Sequence, residues 1–523
     1  MRALKKTAEK QIKDLEGFKR IVGAENVLTD TEDIYVYSFE HFFRERSYTN
    51  LTAVVRVTDE EELKKAEKLA QDKGFAAIRR SCWKQEVNEQ SRAATVLLDD
   101  TIHPELRIIS KDERKEYLSE HQKELENAGH GTSRNFALAL KSFFSGLPAQ
   151  KCLDCKVCSG YCTVASSFKG VETWSSKGRT LLTRALSSGE LQPSPKLIGV
   201  LYTCSLCGLC FADCFENTQV RKAIMDARQR LVKNQHTPEL FATTAKNILK
   251  VGDPSGMPPN KRIAWTERIP QKRVFPKKAD ILYWAGCVAS TRTPNVAVAL
   301  ANVLNRAKAD FTFLGEKEGC CGYVLFATGL WNQARDNAVK LVERVKETGA
   351  EALVTTCAGC YYTFTKMYPE ILDIELPCQV LHATQYVERL IEEKRIVPHG
   401  LDMKVTYHDP CSLGRHSNVY QSPRNVLKAV PNLNFVEMPL SRNRSRCCGA
   451  GGGLWSFNNS VASDSAVERL VKDVTPLGVS ALATACPTCH INLRNASVRN
   501  ALGIKVYDLM EIVESATTSA PKA

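Results

Sequence analysis

The spacing of the cysteines limits what this chain can be more than any other feature. Eighteen of the twenty fall into four groups, leaving only Cys82 and Cys378 outside, which read as ordinary buried thiols. The first group is Cys152, Cys155, Cys158 and Cys162, a C-x2-C-x2-C-x3-C run, and the second repeats it as Cys204, Cys207, Cys210 and Cys214. A run of this kind places three thiolates on one [4Fe-4S] cubane while the fourth completes the other cubane of a pair. The expected ligand sets are therefore Cys152, Cys155 and Cys158 with Cys214, and Cys204, Cys207 and Cys210 with Cys162. Structural zinc is the competing reading, but zinc knuckles draw on two distant C-x2-C pairs. Both runs lack the proline that often follows the fourth cysteine; Thr163 and Phe215 stand there. Apolar residues at helical spacing between and after the runs predict that these sites are mounted on helices.

The other two groups expose a duplication. The first copy carries Cys287 after ILYWAG, the pair Cys320 and Cys321, then Cys357 and Cys360; the second carries Cys411 after VTYHDP, the pair Cys447 and Cys448, then Cys486 and Cys489. The intervals are C-x32-CC-x35-C-x2-C and C-x35-CC-x37-C-x2-C, in the same order. In each copy short apolar runs, 281–285 and 353–356, then 405–408 and 481–484, lead straight into a cysteine and a helical pattern. That predicts an α/β layout with the ligands beyond the carboxyl ends of strands, where helix N-termini favour negative charge. Glycines flank the paired cysteines at Gly319, Gly322, Gly449 and Gly451 to Gly453, allowing backbone to approach a metal closely.

Composition narrows the class. No apolar run approaches the roughly 20 residues a bilayer crossing needs, and the charged N-terminus lacks the pattern of an export signal. The expected location is cytoplasmic, with any membrane association made through a partner. Thiols kept reduced there serve metals or catalysis rather than disulfides. The net charge of +13 comes from Lys and Arg spread along the chain without a nucleic-acid motif, so no nucleic acid is expected as a partner.

Together these motifs resemble the heterodisulfide reductase type of cysteine-rich (CCG) domain, fused behind a two-cluster ferredoxin-like domain as in the D subunit of that enzyme, over about residues 135 to 515. The resemblance implies an α/β protein overall, with a helical ferredoxin-like domain at 135–250, a linker at 252–279, CCG repeats at 280–398 and 400–515, and a tail at 516–523. It also implies two non-cubane [4Fe-4S] clusters, one on Cys287, Cys320, Cys321, Cys357 and Cys360, the other on Cys411, Cys447, Cys448, Cys486 and Cys489, with a disulfide cleaved at such clusters. Zinc needs only four ligands, and each repeat offers five thiolates. The same architecture is similar to the iron-sulfur subunits of glycolate and D-lactate oxidoreductases, which pass electrons to or from a flavoprotein.

Residues 24–80 look like the opening of the FAD-binding domain of those hydroxyacid oxidoreductases, within a small α/β segment at 1–130. No glycine occurs from Phe75 to Ala128, so the backbone cradle a diphosphate needs is missing, and no FAD is expected in this chain. The preferred chemistry is electron entry from a donor or flavoprotein subunit through the cubanes, then disulfide reduction at the second repeat's five cysteines. Protonation of the leaving thiol is assigned to His416, with His408 and His490 as alternatives. Arg415, Arg442, Arg444 and Arg446 are either a grip for an anionic substrate or, preferred, counter-charge to a cluster. The competing functions are electron transfer for a 2-hydroxyacid oxidoreductase and non-catalytic cluster carriage in a membrane-linked respiratory complex.

Overall fold

A computed structural model describes residues 15–38, 51–79, 95–99, 157–212, 214, 218–269 and 278–518. Cys82, Cys152 and Cys155, and the glycine-poor stretch from 100 to 128, lie outside these residues. The chain divides into two compact units, one drawn from Met1–Val200 and Asp213–Ala223, the other from Leu201–Ala212 and Ile224–Ala523.

The first unit holds a four-stranded sheet, β1 (Val27–Leu28), β2 (Leu51–Arg56), β3 (Ala76–Arg79) and β4 (Thr95–Asp99), in the order β1-β2-β4-β3 with only β1 antiparallel. The helix Glu60–Lys73 starts where the Asp59 carboxylate accepts from the Glu62 amide and stops at Gly74 in a left-handed conformation. It buries Leu63, Ala66 and Ala70 against Phe18, Val55, Val96 and Leu98. The segment Thr31–Tyr37 ties this sheet to a helical region: Thr173 donates to Asp33, and the Tyr37 hydroxyl accepts from the Glu172 amide. There the helix Ser176–Ser188 is capped by Ser175, and its buried Lys177 pairs with Glu172 at 3.0 Å.

The second unit contains the duplication as two sheets of one topology. In the first, β5 (Ile281–Trp284), β6 (Phe311–Thr312), β7 (Ala352–Thr355) and β8 (Gln379–His382) lie parallel in the order β6-β5-β7-β8. In the second, β9 (Met403–His408), β10 (Leu433–Phe435), β11 (Ala481–Thr484) and β12 (Lys505–Asp508) lie parallel in the order β10-β9-β11-β12. Each central strand is buried on both faces, which is why the sequence reads as short apolar runs rather than alternating ones.

The two sheets share one core, and the helices join them reciprocally. The helix after β5, Pro294–Arg306, packs on the last helix of the second repeat, Leu509–Thr517; the helix after β9, Gln421–Lys428, packs on the last helix of the first repeat, Ala383–Glu392. Arg306 fastens the first pair by donating to the Glu514 carbonyl at 2.8 Å and to Thr517 at 2.9 Å. Equivalent elements exchanged in this way describe a pseudo-twofold relation between the repeats. Ahead of β5, Trp265 is buried against Tyr283 and Phe313 from a short helical turn, Ala264–Arg268.

Candidate metal centre

The two central strands of each repeat, β5 and β7, then β9 and β11, each lead at the carboxyl end toward a cysteine. Cys357 follows β7 and is the N-cap of the helix Ala358–Tyr362; Cys486 follows β11 and is the N-cap of Pro487–Arg499. The positive end of the first helix favours thiolate at Cys357, whereas its hydrogen bond with Cys357 and burial push Cys486 up to about 12. The paired cysteines are held alike in both copies: the Gly322 amide donates to Cys320 Sγ at 3.4 Å, and the Gly449 amide to Cys447 Sγ at 3.2 Å. Gly449 is required twice over, since its φ is +83° and a Cβ would lie 2.2 Å from the Ala462 carbonyl.

In the first repeat Cys287 and Cys320 sulfurs lie 3.9 Å apart, and Cys321 reaches both Cys320 and Cys360. In the second, Cys447 reaches Cys411 and Cys448, and Cys448 reaches Cys489. The structure therefore brings together all five expected ligands in each copy, most of them buried. The two sets also meet: Cys357 is hydrogen-bonded to Cys360 and to Cys486, its equivalent in the other copy. The pseudo-twofold axis thus passes through the junction of the two thiol sets.

Sharing of protons among packed sulfurs splits their acidities. Hydrogen bonds from Cys360 and Cys486 bring Cys357 down to about 5, while a hydrogen bond from Cys447 brings Cys411 down to about 6 with help from His416 and Arg415. The partners Cys320, Cys360, Cys447 and Cys489 are pushed up by the same contacts and by burial. Stable burial of so many thiolates needs a cation among them. Orphaned donors point the same way: Trp284 Nε1 and Arg415 Nη2 are buried without hydrogen-bond partners. Ten convergent thiols, soft ligands in excess of a tetrahedral set at each position, fit iron-sulfur clusters.

One contact had no counterpart in the sequence. Cys207, from the second ferredoxin-type run, is hydrogen-bonded to Cys447, which with Arg415 lowers it to about 5. The loop is locked there: Arg415 Nε donates to the Cys207 carbonyl at 2.8 Å, His416 Nε2 lies 3.2 Å from the Leu206 carbonyl, and Ser205 Oγ lies 3.4 Å from Cys447 Sγ. Arg228, wholly buried, donates to the carbonyls of Leu201, Cys204, Ala327 and Gly452. Gly452 answers the close approach, since a Cβ there would lie 2.6 Å from the Cys204 carbonyl. Cys158, Cys162 and Cys214 fall in the first unit, where Arg179 sits 3.8 Å from Cys162 Sγ and the Thr218 amide 3.3 Å from Cys214 Sγ. Cys204, Cys207 and Cys210 fall in the second.

The remaining candidates divide. His416 contacts Cys411 and lies tilted at 44° to the Tyr362 ring, 5.2 Å between centroids, while His408 stands beside Cys448 and Cys489. His490 turns its Nε2 to the Val506 carbonyl at 3.1 Å, and burial holds it down to about 4. Among the arginines, Arg415 carries a charge that Cys207, Cys411 and Cys447 sustain against burial. Arg446 is taken up by Asp473 at 2.6 Å, and the Arg442 amide donates to Asp409 at 2.8 Å, so these two brace the loop. Sequence reasoning missed Glu318, which accepts from the Gly286 and Ala285 amides beside Cys287 and which burial raises to about 7. Cys378 is half-buried and pushed up to about 11 by burial.

Two tandem α/β domains whose cysteines converge on one axis define the class as a duplicated cysteine-rich-domain iron-sulfur oxidoreductase. The family model described as "Cysteine-rich domain" matches residues 281–365 and 405–494. The D subunit of dihydromethanophenazine:CoB-CoM heterodisulfide reductase from Methanosarcina acetivorans is 35% identical, across 60% of this chain and 78% of that one. Its counterpart from Methanosarcina barkeri is 31% identical, across 70% of this chain and 93% of that one. A probable iron-sulfur-binding oxidoreductase, FadF, from Bacillus subtilis is 28% identical, across 66% of this chain and 52% of that one. The chain belongs to the family of heterodisulfide reductase D subunits. No helix among the described residues is long and apolar enough to cross a membrane.

Proposed function

We propose that this chain is the cluster-bearing subunit of a disulfide reductase, and that a small-molecule disulfide is opened at the pseudo-twofold junction of the CCG repeats. The carrying observation is the contact of Cys357 with Cys486, which makes the two five-cysteine sets one continuous site. A disulfide is itself a two-sided group, and lying across the axis it would offer one sulfur to each repeat. Clusters held by the ten cysteines would supply single electrons and a soft iron for a thiolate sulfur. Reduction takes two electrons from a partner subunit and two protons, and releases two thiols.

The chain's own residues have defined tasks. The ten cysteines would hold two non-cubane clusters, and the two ferredoxin-type runs two cubanes. Cys207, packed on Cys447, couples the second run to the second repeat. Arg415 fixes that loop and balances the thiolates around it. His416, at Cys411, is the residue placed to hand a proton to a leaving thiol. C357S and C486S are each expected to abolish disulfide-dependent oxidation of reduced viologen while leaving the cubane signals intact; unchanged turnover in both variants would refute the site.

A second reading, an electron-transfer subunit for a flavoprotein that oxidises a 2-hydroxy acid, is favoured by the parallel β2-β4-β3 sheet of the first unit. On that reading the sheet is a flavin-domain remnant serving as a docking surface, and loss of viologen turnover would not follow from C486S.

A further inference from the structure

The repeats differ at a buried position inside the thiol sets, at the ends of β5 and β9. Trp284 ends β5 and His408 ends β9; each pairs with the last residue of the neighbouring strand, Thr355 or Thr484, and each precedes its repeat's first cysteine by three residues. Both are buried, at 0% and 1% exposure. The indole nitrogen of Trp284 shares its surroundings with Cys360, since a Cβ on Gly286 would lie 3.5 Å from the one and 3.3 Å from the other. The ring of His408 occupies the matching place, with one of its nitrogens and the sulfurs of Cys448 and Cys489 all within 4.8 Å of one another.

An ordinary core histidine finds a backbone partner. His382 does so at the Thr356 carbonyl, 3.1 Å away, and His490 at the Val506 carbonyl. His408 has no such oxygen partner at either nitrogen; its ring faces the Cys448 sulfur instead. Burying an imidazole in that state costs stability unless the ring has another task.

We propose that His408 is a nitrogen ligand to iron in the second repeat, a donor that the first repeat replaces with the non-coordinating indole of Trp284. The inference rests on the reading that both repeats hold clusters. Imidazole suits iron, and a neutral nitrogen raises a cluster's potential relative to an all-thiolate set. The second-repeat site is therefore reduced at the higher potential, and it is the one the Cys207 loop adjoins. A nitrogen bound to iron cannot carry a proton, which removes His408 from the proton donors and leaves His416.

The test compares the full chain, loaded anaerobically with iron-57, with its H408Q and W284F variants at matched iron content. Mössbauer spectra of H408Q are expected to shift one iron subspectrum, and redox titration to move one midpoint, with W284F leaving both features in place. Spectra and midpoints of H408Q superimposable on the parent would overturn the proposal. Where H408Q loses the second site's iron, H408C is expected to regain it at a lower midpoint; a folded H408C chain that stays iron-poor also overturns it. A parent chain with about eight iron atoms would instead remove the underlying reading of clustered repeats.

Discussion

The first and second CCG repeats share a strand order, a cysteine order and a glycine amide on the first cysteine of each pair, yet their surroundings diverge. In the first, the amides of Ala285 and Gly286 are gathered by the Glu318 carboxyl. In the second, Asp409 and Pro410 stand at those positions, and Asp409 is instead clamped by Arg424, which also holds Glu437. The first repeat closes its set with Trp284, the second with His408. A loop from a ferredoxin-type run brings Cys207 against Cys447 of the second. Duplication preserved the ligand frame, five cysteines in each copy in the same order, and let the groups behind it drift toward separate electrostatic settings.

The largest expected effect is on metal content. C321S and C448S should each remove about four of about sixteen iron atoms, from one repeat only, by iron and acid-labile sulfide analysis. If either variant empties both repeats, the two sites load as one and the comparison fails. Next in size is R424M, which strands the buried Asp409 carboxylate and should cost the folded state about 3–5 kcal/mol in denaturant unfolding. The corresponding helix of the first repeat buries Leu300 instead, and L300A should cost about 2–5 kcal/mol through a cavity.

The caps of the last helices give opposite pH signs. His382 caps Ala383–Glu392, and Asp508 caps Leu509–Thr517, each in a capping box. Burial lowers His382 from 6.5 to about 4, so the unfolded chain binds the proton first and stability is lost as pH falls through that window, by up to about 3 kcal/mol. Burial raises Asp508 well above 3.8, so the native chain keeps a proton the unfolded one releases, and stability is lost as pH rises from there. Unfolding titrations should show H382N flattening the acid limb and D508N the opposite one. The smallest effect is expected at Thr291, whose hydroxyl donates to the Cys287 carbonyl at 2.6 Å where Arg415 stands in the second repeat; T291A should cost about 1 kcal/mol by the same unfolding measurement.

Much of this frame was legible in the sequence because it is local. Strands 281–284 and 481–484 announce themselves as apolar runs ending at cysteines, and the duplication fixes their equivalence. The meeting of Cys357 with Cys486 was not legible, because it depends on how helices of one copy pack on the other. Cys207 beside Cys447 joins residues some 240 positions apart, and the C-x2-C spacing carries no sign of it. The Trp284 and His408 equivalence was available by laying YWAGC over YHDPC, but its weight came only from burial and unpartnered ring nitrogens.

The most direct test of disulfide reduction at the repeats is anaerobic turnover of the fully iron-loaded chain with reduced viologen, offering the CoM-S-S-CoB heterodisulfide and, separately, a 2-hydroxy acid with an electron acceptor. Rapid viologen oxidation that depends on the disulfide is the predicted result. No turnover with the disulfide at full iron content, whatever the hydroxy acid does, would contradict it and leave the chain a carrier of electrons for chemistry done elsewhere.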